Sequence, residues 1–265
     1  MTLDELDFAA MYREHMVRVG RPKPPGVWDA RADQIGQHQQ VSPYVEAFVS
    51  KVDLRHCHSL LDVGCGTGLI TLRLAPSLTQ VYGLDYSPRM LHWLSTGAER
   101  LGLPQVQPIL RSWDDDWQDI PRCDVVIASR STAVPDMAAA LEKLHDKALK
   151  HVYLTSLVGG EFALARAQRI IGRDVPPPLP DHRYVIHILA QMGIHPCVDY
   201  IVGMSQEGLL PTQASAIAQL EQRLGLLSPK DVRCLEDWAA SAGGSQAWST
   251  LFRDRWAVIS WNKTE

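Results

Sequence analysis

The sequence predicts an α/β fold: a doubly wound, mainly parallel sheet of seven strands, preceded by an N-terminal helical lid and carrying a C-terminal helical insertion before its last strand. Three observations carry this expectation. From Ser59 onward short apolar runs alternate with stretches of helical spacing, the pattern of successive βαβ units. A glycine-rich turn, Gly64-Cys65-Gly66-Thr67-Gly68, follows the first apolar run. Helix starts are marked by a cap residue followed by proline at Ser42-Pro43, Ser87-Pro88 and Ser228-Pro229.

The expected strands are Leu60 to Val63, Val81 to Leu84, Val106 to Leu110, Val125 to Ala128 and Val152 to Leu157, with Cys197 to Val202 as a sixth and Arg255 to Trp261 as the last. After the second strand, Ser87-Pro88 supplies an N-cap oxygen and a preset first turn. Met90, Leu91, Leu94, Ala98 and Leu101 then recur at helical spacing until Gly102 stops the helix. Asp136 to Ala148 repeats the pattern, with Met137, Leu141, Leu144 and Ala148 on one face. Beyond Gly159-Gly160 the alternation loosens. The run Val175-Pro176-Pro177-Pro178-Leu179-Pro180 reads as a stiff loop, because proline has no N–H to give a helix or a central strand. Helices over Tyr184 to Met192, Thr212 to Leu224 and Pro229 to Ala242 complete the chain. The expected organisation is one domain over 1–265: a helical lid over 1–42, a ligand-binding core over 43–205, a helical insertion over 206–250 and the last strand within 251–265.

With 46% hydrophobic and 21% charged residues and a formal net charge of −4, the composition is that of a globular protein without the basic excess needed to neutralise many phosphates. Nucleic acid is therefore not the expected partner. Cys57, Cys65, Cys123, Cys197 and Cys234 contain no C-x-x-C pair and read as free thiols of a reducing cytoplasm. The N-terminal MTLDELDFAA is acidic where a secretory signal is basic, and no apolar run approaches the roughly 18 residues of a membrane span. Neither export nor membrane insertion is expected.

A strand, a glycine-rich turn and a helix together make a nucleotide site, because glycines let a ligand approach backbone N–H groups that the helix leaves unpaired. The dinucleotide fingerprint G-x-G-x-x-G/A, counted from Gly64, puts its third small residue on Leu69, with Gly68 one position early. A P-loop also requires glycine at that position, followed by lysine. Both phosphate readings fail there. Asp62, two residues before the first glycine, repels a pyrophosphate and attracts a ligand with a cationic amino group. A turn that merely closes a βα unit leaves that acid unexplained.

Leu61-Asp62-Val63-Gly64-Cys65-Gly66-Thr67-Gly68 resembles the D-x-G-x-G-x-G motif of class I S-adenosylmethionine (SAM)-dependent methyltransferases, in the small-molecule branch. The second strand ends in Gly83-Leu84-Asp85-Tyr86-Ser87, where that family has an acid that binds both ribose hydroxyls. The resemblance implies a Rossmann-like methyltransferase fold with SAM as cofactor. It implies that Asp62, Gly64, Cys65, Gly66 and Gly68 hold the methionine part, that Asp85 holds the ribose, and that Tyr86 packs near the adenine. After strand three, Arg111-Ser112-Trp113-Asp114-Asp115-Asp116-Trp117 stands where relatives face the adenine edge, so Ser112, Trp113 and Asp114 are candidates there. The other reading of that stretch is a solvated acidic turn anchored by a tryptophan.

In an open α/β sheet, ligands lie beyond the carboxyl ends of the strands, so Ser129-Arg130-Ser131-Thr132 after strand four is expected to line the methyl-transfer site, with Ser129 on the cofactor. Families that methylate exocyclic amines or glutamine carry an N-P-P-Y-like tetrapeptide at this point, and this chain does not. Arg130 is a candidate clamp for a substrate carboxylate or phosphate; pairing with Asp136 is the alternative. Val27-Trp28-Asp29-Ala30-Arg31-Ala32-Asp33 resembles the W-D-x-R-A helix of small-molecule relatives, which makes Trp28 a second substrate-side candidate. His56-Cys57-His58 and Asp114 to Asp116 lack further ligands at metal-binding spacing, so no metal is assigned. His182, His187 and His195 read as surface or satisfied histidines, with a general base as the other role. The expected reaction is methyl transfer to a small molecule. An RNA or protein acceptor, or a sensor that binds SAM without turnover, fits the same motifs.

Overall fold

The computed structural model describes residue 2 and residues 5–20, 24–37, 42–202 and 212–263. The chain forms α1 (Phe8–Val19), α2 (Pro25–Gln37), α3 (Pro43–Val49), β1 (Ser59–Val63), α4 (Thr71–Leu74), β2 (Gln80–Asp85), α5 (Pro88–Leu101) and β3 (Val106–Leu110). It continues with β4 (Cys123–Ala128), α6 (Met137–Lys147), β5 (Ala148–Leu157), α7 (Ala163–Ile170), α8 (His182–Gln191) and β6 (Cys197–Val202). The last elements are α9 (Gln213–Leu224), α10 (Pro229–Ser241), α11 (Ser245–Phe252) and β7 (Arg255–Asn262).

The seven strands make one sheet in the order β3-β2-β1-β4-β5-β7-β6. Neighbours are parallel from β3 to β5, and β7 runs antiparallel between β5 and β6. The expected doubly wound, mainly parallel sheet is therefore observed. Period-two alternation sorts the side chains: Leu60, Val125 and Ile127 pack with Tyr44, Val45 and Phe48 of α3 and Leu74 of α4. Leu61, Val63, Val126 and Ala128 pack on the other face with α1, α6 and α8. Burying each such aliphatic side chain contributes roughly 1.5–3 kcal/mol before chain entropy is charged against it. Chain order reverses between β1 and β4, which opens a crevice at their carboxyl ends.

Pro108 sits within β3 because that strand is an edge, where one side of the backbone makes no ladder bonds. β5 begins at Ala148, four residues before the expected start at Val152, so Ala148 is the C-cap of α6 and the first strand residue at once. The helix after the glycine turn is a single turn, followed by a 3-10 turn over Ala75–Ser77, since Pro76 has no N–H to continue an α-helix. Helices α7 and α11 were not expected. Neither has a side-chain N-cap bond, Phe162 and Gly244 standing at their cap positions, so the usual start signal is missing. The expected boundary between core and insertion, at 205–206, lies outside the described residues.

Candidate active site

The glycine turn is built by backbone conformations that side chains resist. Gly64, Gly66 and Gly68 have φ of 70°, 56° and 84°. A Cβ on Gly64 would stand 2.3 Å from Cβ of Ser131, so glycine there lets the β4 loop press directly on the turn. A Cβ on Gly66 would meet nothing within 4 Å, so this position presents bare backbone to the crevice. Cys65 lies between them, and burial raises its thiol pKa well above the ordinary range. It is packing, not a nucleophile.

Strand register brings the two acids to the same side. Asp62 pairs with Gly83, and Asp85 lies two residues beyond Gly83 on the same face of β2. Asp62 is buried and accepts a hydrogen bond from Oγ1 of Thr71 at 2.6 Å. Burial lifts its pKa to about 7, with the charge of Asp85 adding to the effect. Asp85 accepts from the N–H groups of Gly66 and Ser87, both at 2.9 Å, and burial raises its pKa against those bonds. Among the described residues neither carboxylate has an ion-pair partner. Two buried acids without a cation beside bare backbone suit a ligand that brings positive charge and hydroxyl donors, and they oppose a phosphate.

Tyr86 is hydrogen-bonded to the side chain of Trp28, whose indole N–H is the donor, and this bond brings α2 to the end of β2. The rest of α2 is latched onto α5. Asp29 accepts from Oγ of Ser87 at 2.5 Å and from the N–H of Arg89 at 3.2 Å. Asp33 takes two bonds from the Arg89 guanidinium and one from the indole of Trp93.

The loop after β3 is internally bonded. Ser112 Oγ accepts from the N–H of Asp114 at 3.2 Å, and the carbonyl of Ser112 accepts from the indole of Trp117. Trp113 stacks on Trp117 with centroids 5.3 Å apart and donates to the carbonyl of Ser131 at 3.1 Å. Asp114 is exposed. Trp113 thus ties the β3 loop to the β4 loop.

In the β4 loop every residue but one spends its side chain on an anchor. Ser129 Oγ shares a 2.7 Å hydrogen bond with the hydroxyl of Tyr44, Ser131 donates to the carbonyl of Val63 at 2.6 Å, and Thr132 donates to the carbonyl of Thr155 at 2.9 Å. Arg130 has φ of 57°, held there by its N–H donating to Oγ1 of Thr155 at 2.8 Å. Its guanidinium lies 4.5 Å from the centre of the Tyr44 ring and makes no ion pair among the described residues. Asp136, the alternative partner, is bonded to Arg13 instead. Tyr44 also donates to Oγ1 of Thr155 at 3.1 Å, and burial raises its pKa, so it stays a neutral hydroxyl.

Tyr44, Thr155, Thr71 and Trp256 carry much of this geometry and were not singled out in the sequence. Tyr44 meets Ser129 across 85 positions and Thr155 across 111, and no local pattern signals such pairings. His182, at the start of α8, lies beside Tyr200 of β6, and burial lowers its pKa. His187 stacks on Phe8 in the core. Among the described residues no group of three or more His, Cys, Asp or Glu is placed to hold a metal ion, and no helix is long and apolar enough to cross a membrane.

Fold and site together define a Rossmann-like enzyme that takes a cationic nucleoside cofactor. The family described as "Methyltransferase domain" matches residues 60–150, the stretch from β1 into β5. An uncharacterized protein of Haemophilus influenzae is 31% identical over 265 residues, 99% of this chain and 98% of its own. The nocamycin O-methyltransferase of Saccharothrix syringae is 27% identical over 249 residues, 89% of this chain and 85% of its own. Among solved structures, the YcgJ protein of a Bacillus species covers 84% of this chain and 98% of its own at TM-score 0.56 and 12% identity. Coclaurine N-methyltransferase covers 98% and 96% at TM-score 0.51 and 10% identity. Residues 60–150 form a methyltransferase domain, whose cofactor is S-adenosylmethionine, and the chain is similar over most of its length to methyltransferases.

Proposed function

We propose that the chain methylates a small-molecule acceptor. The observation that carries this is the composition of the surface beside the glycine turn: anchored hydroxyls, the ring of Tyr44 and one unpaired guanidinium, where a polynucleotide acceptor calls for many cations. The nocamycin O-methyltransferase, whose name carries its acceptor, supports the same reading. On this reading Asp62 faces the cofactor's ammonium, Asp85 its ribose, and Gly64, Cys65, Gly66 and Gly68 its methionine chain. Tyr86, Ser112, Trp113 and Asp114 border the adenine, Ser129 the transferred group, and Trp28 and Arg130 the acceptor. Residues 1–42 serve as lid, 43–205 as cofactor core and 206–250 as the insertion that shapes the acceptor pocket, in one domain ending with the strand in 251–265. Five free thiols support a cytoplasmic place of work.

When bound, SAM supplies a methyl carbon already activated by its sulfonium. The protein's part is positioning and exclusion of water. The hydroxyl anchors fix the β4 loop against the glycine turn, and the neutral Tyr44 donates without removing a proton. Calorimetric titration with SAM is the first test: Asp85→Ala is expected to lose roughly tenfold or more in affinity through two lost charge-assisted bonds. Equal affinity in both proteins overturns the cofactor assignment. Incubation with labelled SAM and a metabolite extract, read by mass spectrometry, is expected to yield a product one methylene heavier. Product on tRNA or protein instead overturns the small-molecule assignment, and no S-adenosylhomocysteine under any condition overturns catalysis.

A further inference from the structure

Within that small-molecule reading, on which this inference rests, the guanidinium of Arg130 has a definite setting. Only His56 and Arg130 among the described non-glycine residues have a left-handed backbone. That conformation costs a non-glycine residue roughly 1–2 kcal/mol. Ser129, Ser131 and Thr132 are all pinned by their hydroxyls, so the loop holds Arg130 in this conformation from both sides. The guanidinium carbon lies 4.5 Å from the centre of the Tyr44 ring, and among the described residues the group makes no ion pair, which leaves its charge for a ligand.

A row of aromatic rings continues from Tyr44. Trp256 at the start of β7 meets Tyr44 edge-on with centroids 6.0 Å apart, and Phe162 before α7 meets Trp256 at 6.0 Å. Phe162 is 44% exposed at the carboxyl edge of the sheet, so its ring can meet a ligand. Tyr44 feels the charges of both Asp62 and Arg130, so the acids of the glycine turn and the guanidinium meet at the same ring, and an anionic acceptor held by Arg130 would stand beside the cationic cofactor.

We propose that Arg130 is the specificity residue of the acceptor site, and that the acceptor is a small aromatic acid. Its carboxylate is gripped by the Arg130 fork and its ring lies along Tyr44, Trp256 and Phe162. The guanidinium fork fits carboxylate and phosphate alike, but its single charge balances a carboxylate and leaves a phosphate dianion half-neutralised.

The test uses the full chain saturated with S-adenosylhomocysteine, with benzoate, benzamide and phenyl phosphate as probes, read by calorimetry or tryptophan fluorescence. Benzoate is expected to bind in the millimolar range or better, at least about tenfold tighter than neutral benzamide and no weaker than phenyl phosphate. Arg130→Gly keeps the left-handed backbone accessible. It is expected to abolish the preference for benzoate without lowering thermal stability or S-adenosylhomocysteine affinity. Phe162→Ala is expected to weaken benzoate and benzamide alike. Equal binding of benzoate and benzamide, no binding of benzoate, tighter binding of phenyl phosphate, or an Arg130→Gly protein that retains the preference overturns the proposal. Failure of S-adenosylhomocysteine to bind overturns the cofactor reading beneath it instead, so the two failures are distinguishable.

Discussion

Asp62 holds its proton at a pH where an ordinary aspartate has lost it, because burial beneath the glycine turn raises its pKa from 3.8 to about 7. The sign of the consequence is fixed by linkage. Between those two values the folded chain keeps a proton that the unfolded chain releases, so this contribution to stability is full below about pH 4 and is lost as pH rises through 7. The shift corresponds to roughly 4 kcal/mol. Asp62→Asn, which cannot ionise, is expected to raise the Tm of the ligand-free protein at pH 8 and to change it little at pH 5; a Tm difference independent of pH contradicts the assignment. A ligand ammonium favours the ionised carboxylate, so binding of S-adenosylhomocysteine should release a proton near pH 6. Calorimetry in buffers of different ionisation enthalpy reads that release, and Asp62→Asn should remove it.

Helix α2 is held by few apolar groups, with only Ala32 and Gly36 buried among its residues. Its attachment to α5 rests on the carboxylates of Asp29 and Asp33, and the Arg89–Asp33 pair is about half exposed. Such a solvated pair contributes little and weakens with salt. Hydrogen exchange of the α2 amides is therefore expected to accelerate in high salt and in Arg89→Ala, while β1 and β4 stay protected. Equal acceleration in the strands contradicts a helix that detaches on its own. Gly36 adds a steric test. A Cβ there would stand 2.1 Å from the Trp93 ring, so Gly36→Leu should undock α2 and raise the KM for SAM, the Trp28–Tyr86 bond being lost with it. This helix was legible as a motif, Trp28-Asp29 through Asp33, but its partner was not. Arg89 lies 56 positions away from Asp33, and only packing brings them together.

The described chain divides into a sheet with its two helical layers and a separate cluster of α7, α9, α10 and α11 around Leu235, Ala216 and Trp248. Arg166 of α7 is tied within the cluster to the carbonyl of Leu251 and reaches toward the sheet through its bond to Asp254, one residue before β7 begins. Leu235 is fully buried, and Leu235→Ala is expected to cost roughly 2–5 kcal/mol within the cluster. Because Asp62 and Asp85, the acids proposed to hold the cofactor, lie in β1 and β2, S-adenosylhomocysteine affinity should survive that substitution while kcat falls, the aromatic row at Phe162 and Trp256 being set by this end of the molecule. Parallel loss of cofactor affinity would show that the cluster and the sheet fold as one unit.

The sheet, most of its helices and the two buried acids beside the glycine turn were readable in order along the chain because each rests on local chemistry. Strand alternation, proline-marked caps, and an acid followed by alternate glycines are all patterns of a few residues. Helices α7 and α11 lacked such a mark, with no capping side chain to announce them. On the proposed acceptor side the sequence offered Arg130 and Trp28 but not the residues around them, for a different reason. Ser129, Tyr44, Thr155 and Trp256 come from four separate elements, and each gains its role from a partner that the parallel sheet delivers from distant sequence. Local chemistry named the methyl donor. Long-range packing arranged the surface proposed to receive the methyl group, because a pocket between strand ends exists only once the strands are side by side.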